Sequence, residues 1–138
     1  MCSDLSDISK YAHVSNTAYR LLRKNLPGPY TFVLPGTKLV PKIMASKQKT
    51  VGIRVPDHPI CQLILETLGN PIVNTSVHLT DKEVDLSDPF EIERYLGNRI
   101  TLVIDGGIVF PDPSSVIDLT GDYPEILRVG KGDVNPFR

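Results

Sequence analysis

The chain has 138 residues and a mass of 15.3 kDa, which is the size of one domain with one hydrophobic core. Its apolar runs are too short to cross a bilayer, so we predict no membrane span. The start, Met1 to Leu5, lacks the cationic and apolar segments of a secretory signal. The two cysteines have neither metal nor disulfide-framework spacing, so we expect free thiols and a cytoplasmic location.

The net charge of -1 conceals an uneven distribution. Residues 8–56 carry nine basic side chains and no Asp or Glu, residues 57–138 sum to -8, and the first seven residues add -2. Two interpretations remain open. The first half either holds a site for phosphate or nucleic acid, or it docks electrostatically on the second half.

Two helices are predicted to open the chain. Ser3 caps the first, which continues to about Lys10, and either Ser15 or Asn16 caps the second, whose leucines recur at helical spacing. Two strands follow, at residues 30–34 and 50–55, with a helical turn at 42–46 between them.

The second half continues the alternation of helices and strands. Asp57 is predicted to cap a helix that stops at Gly69, and Asp88 caps another that ends at Gly97. The predicted strands are residues 72–77, 100–104, 115–119 and 125–129. This order predicts an α/β fold, a twisted, mixed, open sheet with flanking helices, as a single domain over residues 1–138.

The common catalytic motifs are absent from the sequence, including phosphate loops, CxxC, HExxH and GxSxG. The three histidines, His13, His58 and His78, share no ligand-like spacing, so we predict no metal site in the protein. Short polar groups at strand ends are more informative, because ligands of open α/β sheets collect there. They are Arg54, a candidate phosphate ligand or a surface arginine, and the pair Thr75 and Ser76, which either bind a nucleotide or satisfy backbone groups.

Five ordered motifs resemble those of the YrdC-like domain family. Residues 26–32 resemble its PGPxT signature, residues 51–59 its GxRxPxxP segment, residues 74–76 its TS segment, residues 113–118 its STV[IV]D strand, and residues 126–132 its LRxGxG ending. Both ends of the chain look especially like the YciO branch of the family.

The resemblance implies the fold and chemistry of L-threonylcarbamoyladenylate synthases, with a basic concave cleft. Those enzymes join threonine, bicarbonate and ATP, with Mg²⁺, into threonylcarbamoyl-AMP for the t6A modification of tRNA. By matching position, the residues implied to contact the nucleotide are Arg54, Ser76, Ser114, Ser115 and Arg128. Those implied in the substrate pocket are Thr31, Thr75 and His78.

Two departures from the family pattern bear on activity. The chain begins after the family's PTDT-like strand and KxR-like helix, so we expect it to lack the N-terminal third, to be weakly active or inactive, and to associate as a homo-oligomer through an exposed sheet edge. The SxN motif of active synthases is Ser76-Val77-His78 here.

A binding function without catalysis is the alternative interpretation. YrdC-like domains are described as binders of double-stranded RNA, and the basic first half of this chain suits the phosphate backbone of RNA or tRNA. Lysines 38, 42, 47 and 49 on one continuous face would favour that interpretation.

Overall fold

The computed structural model describes residues 1–41, 49–77, 85–110 and 112–138. Within these ranges the helices are α1 (Leu5–Tyr11), α2 (Asn16–Asn25), α3 (Pro59–Leu68) and α4 (Pro89–Leu96). The strands are β1 (Tyr30–Pro35), β2 (Thr50–Ile53), β3 (Ser115–Asp118) and β4 (Glu125–Arg128), and 3₁₀ turns cover Gly97–Arg99 and Asn135–Phe137. The predicted helical turn at 42–46 lies outside the described residues.

Side-chain caps fix where the two N-terminal helices begin. The Asp4 carboxylate accepts a hydrogen bond from the Asp7 amide at 2.9 Å, so Asp4 caps α1. The prediction that Ser3 is this cap is wrong, because the Ser3 hydroxyl donates instead to the Asp7 carboxylate at 2.8 Å. Ser15 caps α2 as predicted, by accepting from the Ala18 amide at 3.1 Å.

The four strands form one mixed sheet in the order β2-β1-β3-β4. β1 runs antiparallel to β2 and parallel to β3, and β3 runs antiparallel to β4. This open mixed sheet with flanking helices confirms the predicted fold class. β1 and β3 are distant in sequence, and their parallel pairing brings residues 30–33 beside residues 115–118.

One face of the sheet packs into the core, and the other stays partly open. Burial alternates along β1, so that Phe32 and Leu34 are fully enclosed, and Ile117 of β3 lies on the same inward face. Ile8 of α1 and Leu22 of α2 belong to the same cluster of buried residues. The core also includes an aromatic group of Tyr30, Phe32 and Phe137, whose ring centroids are 5.6 to 5.8 Å apart.

Helices α3 and α4 both begin with a proline in their first turn. Asp88 caps α4 by accepting from the Phe90 amide at 2.9 Å, as predicted. The predicted cap of α3 is wrong by one position, because His58 occupies the cap and makes no capping hydrogen bond through its side chain. Gly69 ends α3 as predicted, with a φ of 67° that a side chain would strain.

Two predicted strands, 72–77 and 100–104, are not strands in the structure. Both segments are rich in β-branched residues, but a strand also needs a hydrogen-bonded neighbour, and among the described residues no strand pairs with either. Leu102 and Ile104 are accordingly 77% and 55% exposed. The prediction that residues 100–104 form a buried strand is therefore wrong, and so is the prediction of a strand at 72–77.

The chain divides into two compact units. The first combines Met1–Val73 with Pro113–Arg138 and contains the whole sheet; the second is Asn74–Asp112 and contains α4. Among the described residues, no helix has both the length and the apolar character needed to cross a membrane.

Candidate functional site on the open face of the sheet

The partly open face of the sheet is built by the residues that alternate with the core. Thr31 of β1 is half-buried and lies beside Val116 of β3 in the parallel register. Gly52 of β2 is exposed on the same side, and a Cβ at this position would lie 3.3 Å from Cγ2 of Thr31. The absence of a side chain at Gly52 therefore keeps the space beside Thr31 open.

A pair of hydroxyl groups lies at the centre of this face. Oγ1 of Thr31 and Oγ of Ser114 are 2.7 Å apart, and either oxygen can donate. Ser114 directly precedes β3 and is only 7% exposed, so little of the residue is accessible to solvent. Two adjacent hydroxyls offer both a donor and an acceptor to a polar ligand.

Arg128, the last residue of β4, forms hydrogen bonds with Ser114 through its guanidinium group. Its Nε and Nη2 donate to the Ser114 carbonyl oxygen at 2.9 and 2.8 Å, and Nη2 also lies 3.2 Å from Oγ of Ser114. Val116 pairs with Arg128 in the antiparallel register, which sets this approach. Nη1 of Arg128 has no protein partner in the part of the chain that the structure describes, so it can still bind an anion.

Ser115 faces the opposite way, into the core. Its side chain is fully buried, donates to the Gly132 carbonyl oxygen at 2.6 Å and accepts from the Gly130 amide at 2.9 Å. A Cβ at Gly130 would overlap the backbone of Pro113 and Ser114, which explains the glycine. Ser115 thus holds residues 130–132 against the start of β3, next to Ser114. Because its hydroxyl is buried, Ser115 can affect ligand binding only by positioning this segment.

Arg54 directly follows β2. Side chains alternate between the two faces of a strand, so Arg54 continues the face on which Gly52 lies. Its carbonyl oxygen accepts from the Cys2 amide at 2.8 Å, which fixes its backbone. The side chain is half-buried, and its Nε has no exposed surface and no hydrogen-bond partner among the described residues. A buried guanidinium N–H without an acceptor is unusual in proteins and indicates a place for a ligand oxygen.

The remaining predicted site residues lie in the second unit or outside the described chain. Thr75 and Ser76 are exposed, and the only hydrogen bond found for the Thr75 hydroxyl within the described ranges is a long one, 3.4 Å, to the Ser76 carbonyl oxygen. His78 falls outside the described residues. The structure therefore brings together Thr31, Ser114 and Arg128, and it leaves the other predicted pocket residues untested.

A mostly apolar cavity of about 280 Å³ adjoins Gly52. Its lining includes Cys2, Val40, Ile53 and Ile72. Cys2 is 3% exposed, and burial raises the pKa of its thiol from 9.0 to about 11. The thiol is thus kept neutral and acts as a small apolar group. Cys2 and Cys61 are both free thiols, as predicted.

Two features of this face were missed by the sequence analysis. The sequence analysis did not identify Gly52 as the residue that leaves space beside Thr31. A glycine inside an alternating strand often marks a site where another group approaches the backbone closely. The double hydrogen bond from Arg128 to the Ser114 backbone was also missed, because it depends on strand register.

Comparison with known proteins gives one consistent family. Residues 1–130 match the Sua5/YciO/YrdC family, which is described under telomere recombination. The chain is 49% identical over 138 residues to the Escherichia coli K12 protein YciO. The aligned region covers 99% of this chain and 67% of YciO. The crystal structure of E. coli YciO superposes with a TM-score of 0.93 over 100% of this chain and 68% of that one.

More distant relatives have named activities or ligands. A threonylcarbamoyl-AMP synthase of Pyrococcus abyssi is 34% identical over 118 residues, which are 85% of this chain and 34% of the synthase. The crystal structure of P. abyssi Sua5 complexed with L-threonine is 28% identical, with a TM-score of 0.82 over 94% of this chain and 38% of that one. Full-length HypF in a phosphate- and nucleotide-bound form is 25% identical, with a TM-score of 0.67 over 94% of this chain and 20% of HypF.

Proposed function

Because this chain belongs to the Sua5/YciO/YrdC family, we propose that the open face of its sheet binds ATP in chemistry related to threonylcarbamoyl-AMP synthesis. In that reaction the threonine amine forms an N–C bond with bicarbonate, which loses one oxygen as water to give a carbamate, and a carbamate oxygen attacks the α-phosphorus of ATP. The bond from this phosphorus to pyrophosphate breaks, and pyrophosphate leaves. The product would serve the t6A modification of tRNA.

The orphaned Nε of Arg54 is the observation that carries the proposal. A buried N–H without an acceptor costs about 1–3 kcal/mol, and a phosphate oxygen would remove that cost. A guanidinium can also spread its charge over two phosphate oxygens. We assign Arg54 to neutralise the phosphates of ATP as pyrophosphate leaves, which is the main requirement of this chemistry.

The grouped side chains of the open face suit the rest of the ligand. Nη1 of Arg128 is available for a second phosphate contact, and the hydroxyl pair of Thr31 and Ser114 can bind polar groups of nucleotide or threonine. P. abyssi Sua5 has been crystallised with L-threonine and HypF with nucleotide and phosphate, which supports this choice of ligands. Contacts from Thr75, Ser76 and His78 remain part of the proposal.

Mg²⁺ would be brought to the site by the nucleotide. Within the described ranges, no group of three or more His, Cys, Asp or Glu side chains could hold a metal ion. Mg²⁺ usually keeps several waters and binds through substrate phosphates, which fits a face that offers hydroxyl and guanidinium groups. The ion would supply further charge neutralisation at the phosphates.

We expect ATP binding with little or no synthase turnover. The sequence Ser76-Val77-His78 replaces the SxN motif of active synthases, so an amide is exchanged for an imidazole. Binding and turnover must therefore be measured separately.

The test is a calorimetric titration of the purified chain with ATP and Mg²⁺. Saturable binding is expected for the wild type, and Arg54→Ala should weaken it at least about tenfold through loss of one charged phosphate contact. The matched control is Arg138→Ala, which removes an exposed arginine at the C-terminus and should leave affinity unchanged. Undetectable binding by the wild type, or equal affinity of the Arg54 variant, would refute the proposal.

A further inference from the structure

The apolar cavity of about 280 Å³ borders the open face of the sheet. Gly52 belongs to both, because it is exposed on that face and also lines the cavity. Cys2, another lining residue, donates its amide hydrogen to the Arg54 carbonyl oxygen at 2.8 Å. A small molecule in the cavity would therefore lie next to the residue that we assign to the phosphates of ATP.

The walls of the cavity are held in place by the fold itself. The Ile72 amide donates to the Met1 carbonyl oxygen at 3.0 Å, which joins two of the lining segments. Val51 and Ile53 of β2 form another wall and are 6% and 3% exposed. All the lining residues that the structure describes belong to the first compact unit. A pocket with walls fixed in this way spends little free energy on ordering when a ligand enters.

The volume of the cavity suits an amino acid rather than a nucleotide. One water molecule occupies about 30 Å³ of the liquid, so the cavity has the volume of roughly nine waters. A small α-amino acid has a similar number of non-hydrogen atoms, whereas ATP has far more. ATP therefore needs the open face, and the cavity can accept the smaller substrate.

The lining of the cavity is mainly aliphatic. Branched aliphatic side chains in it are those of Val40, Val51, Ile53, Ile72 and Val73. Within the described ranges its polar side chains are those of Cys2, Tyr11 and Asn70, and none of them is charged at neutral pH. Asn70 is exposed, so it lies at the mouth, and its Nδ2 donates to the Pro71 carbonyl oxygen at 3.1 Å. The interior thus offers apolar contact and few hydrogen-bond partners.

An aliphatic lining of this kind disfavours threonine. Threonine and valine have nearly the same shape, but threonine carries a hydroxyl group where valine carries a methyl group. Moving the hydroxyl out of water without a partner is unfavourable, and apolar pockets therefore prefer the methyl analogue by roughly a hundredfold. Each further methylene group that finds apolar contact adds about tenfold or more. The cavity should therefore select a branched aliphatic side chain.

We propose that the cavity binds an α-amino acid with a branched aliphatic side chain, such as valine or leucine, as the amine substrate of the adjoining ATP site. This inference deepens the proposed function and rests on it, with this amine in place of the threonine amine in the reaction given above. The side chain packs among Val51, Ile53 and Ile72, and the polar end lies at the mouth, near Asn70 and Gly52. The assignment also fits the low turnover that we expect with threonine.

Binding is tested by calorimetric titration of the wild type with L-valine, L-leucine and L-threonine, first without nucleotide and then with saturating ATP and Mg²⁺. Valine should bind at least about tenfold more tightly than threonine, and leucine at least as tightly as valine. Threonine affinity equal to that of valine would overturn the proposal. So would the absence of valine and leucine binding under both conditions.

Two variants that reduce the volume of the cavity check where the amino acid binds. Ile72→Phe and Val40→Phe enlarge side chains in two separate walls, and each should weaken valine binding at least about tenfold. Ile92→Phe is the matched control, because Ile92 is also half-buried but lies in α4, outside the cavity lining. Urea denaturation identifies the variants that fold. Unchanged valine affinity in a folded cavity variant, or an equal loss in the control, would contradict the proposed site.

A smaller change tests the selectivity without filling the cavity. Ile72→Thr keeps a β-branched side chain and places a hydroxyl group in the lining. The preference for valine over threonine should shrink severalfold in this variant, because the threonine hydroxyl gains a partner. The same preference in this variant and in the wild type would contradict the role of the lining.

Pyrophosphate release in the presence of ATP, Mg²⁺ and bicarbonate tests whether the bound amino acid is the substrate. Valine or leucine should stimulate release at least about tenfold more than threonine does. Equal stimulation by threonine, or no stimulation by an amino acid that binds, would refute the substrate role. Loss of ATP binding with a retained preference for valine would refute the ATP site alone. ATP binding without that preference would refute the amino-acid site alone.

Discussion

The guanidinium of Arg128 holds the carbonyl oxygen of Ser114 between two N–H groups, at 2.9 Å from Nε and 2.8 Å from Nη2. This contact joins the end of β4 to the residue before β3, and it fixes the position of the Ser114 hydroxyl beside Thr31. A residue that resemblance assigns to nucleotide binding is thus also a structural support of its neighbour.

Arg128→Lys should separate these two roles of the arginine. Lysine keeps the positive charge but cannot place two N–H groups on one oxygen in the same geometry. The free energy of unfolding should fall by about 0.5–1.5 kcal/mol, as measured by urea denaturation. ATP affinity should fall as well, because the Ser114 hydroxyl loses its support. Identical denaturation curves for this variant and the wild type would show that the contact does not contribute to the free energy of unfolding.

Ser115→Ala should destabilise the protein through its backbone partners. The change leaves the Gly132 carbonyl oxygen and the Gly130 amide without their buried hydroxyl, at a cost of about 1–3 kcal/mol. Ser9→Ala is the matched control, since Ser9 is exposed and its hydroxyl, among the described residues, bonds only to the Ser6 carbonyl oxygen within α1. Urea denaturation of both variants tests this, and a loss in the control as large as that in Ser115→Ala would contradict it.

Gly52→Val should impair ligand binding more than stability. Valine suits a strand, and Gly52 does not have a positive φ, so the fold should tolerate it. Its side chain would crowd Cγ2 of Thr31, which lies 3.3 Å from the position of a Cβ, and would displace the hydroxyl pair. Calorimetry should show weaker ATP binding.

Adding Thr31→Ser to Gly52→Val is the control for that crowding. Serine keeps the hydroxyl but lacks the crowded methyl group, so the double variant should recover part of the lost affinity. If the double variant binds ATP no better than Gly52→Val, steric displacement of Thr31 is not the cause.

Cys2 should stay unreactive to iodoacetamide at neutral pH in the folded protein. Burial raises the pKa of its thiol from 9.0 to about 11, and the thiolate is the reactive form. Alkylation followed by peptide mass spectrometry should modify Cys2 only as the pH approaches 11 or after unfolding. Rapid modification of Cys2 in the native protein at pH 7 would contradict this assignment.

The same thiol should make stability depend on pH in the alkaline range. Its contribution is complete below pH 9 and is lost as the pH rises through about 11, because the unfolded chain ionises first. Cys2→Ala should flatten the decline of unfolding free energy over this interval. An equal decline in the variant would assign the effect to other groups.

The sequence predicted the parts of this molecule that depend on local pattern. Alternation along residues 50–55 correctly gave β2, and the serine before α2 correctly gave its cap. The segment 100–104 has an equally apolar pattern, but a strand is completed by a neighbour that no single-sequence pattern specifies. The grouping of Thr31, Ser114 and Arg128 likewise depends on pairing between distant strands, so only family resemblance pointed to it.

The parallel pairing of β1 with β3 has a consequence for how the protein is made on the ribosome. A nascent chain translated only to Asp112 contains β1 and β2, and a two-stranded hairpin alone is marginally stable in water. The inner edge of β1 stays unpaired until Ser115–Asp118 emerges, after the whole of the second unit. Synthesis of Pro113–Arg138 is therefore the step at which Thr31 first acquires its partner, and a pause before it would prolong exposure of an aggregation-prone edge.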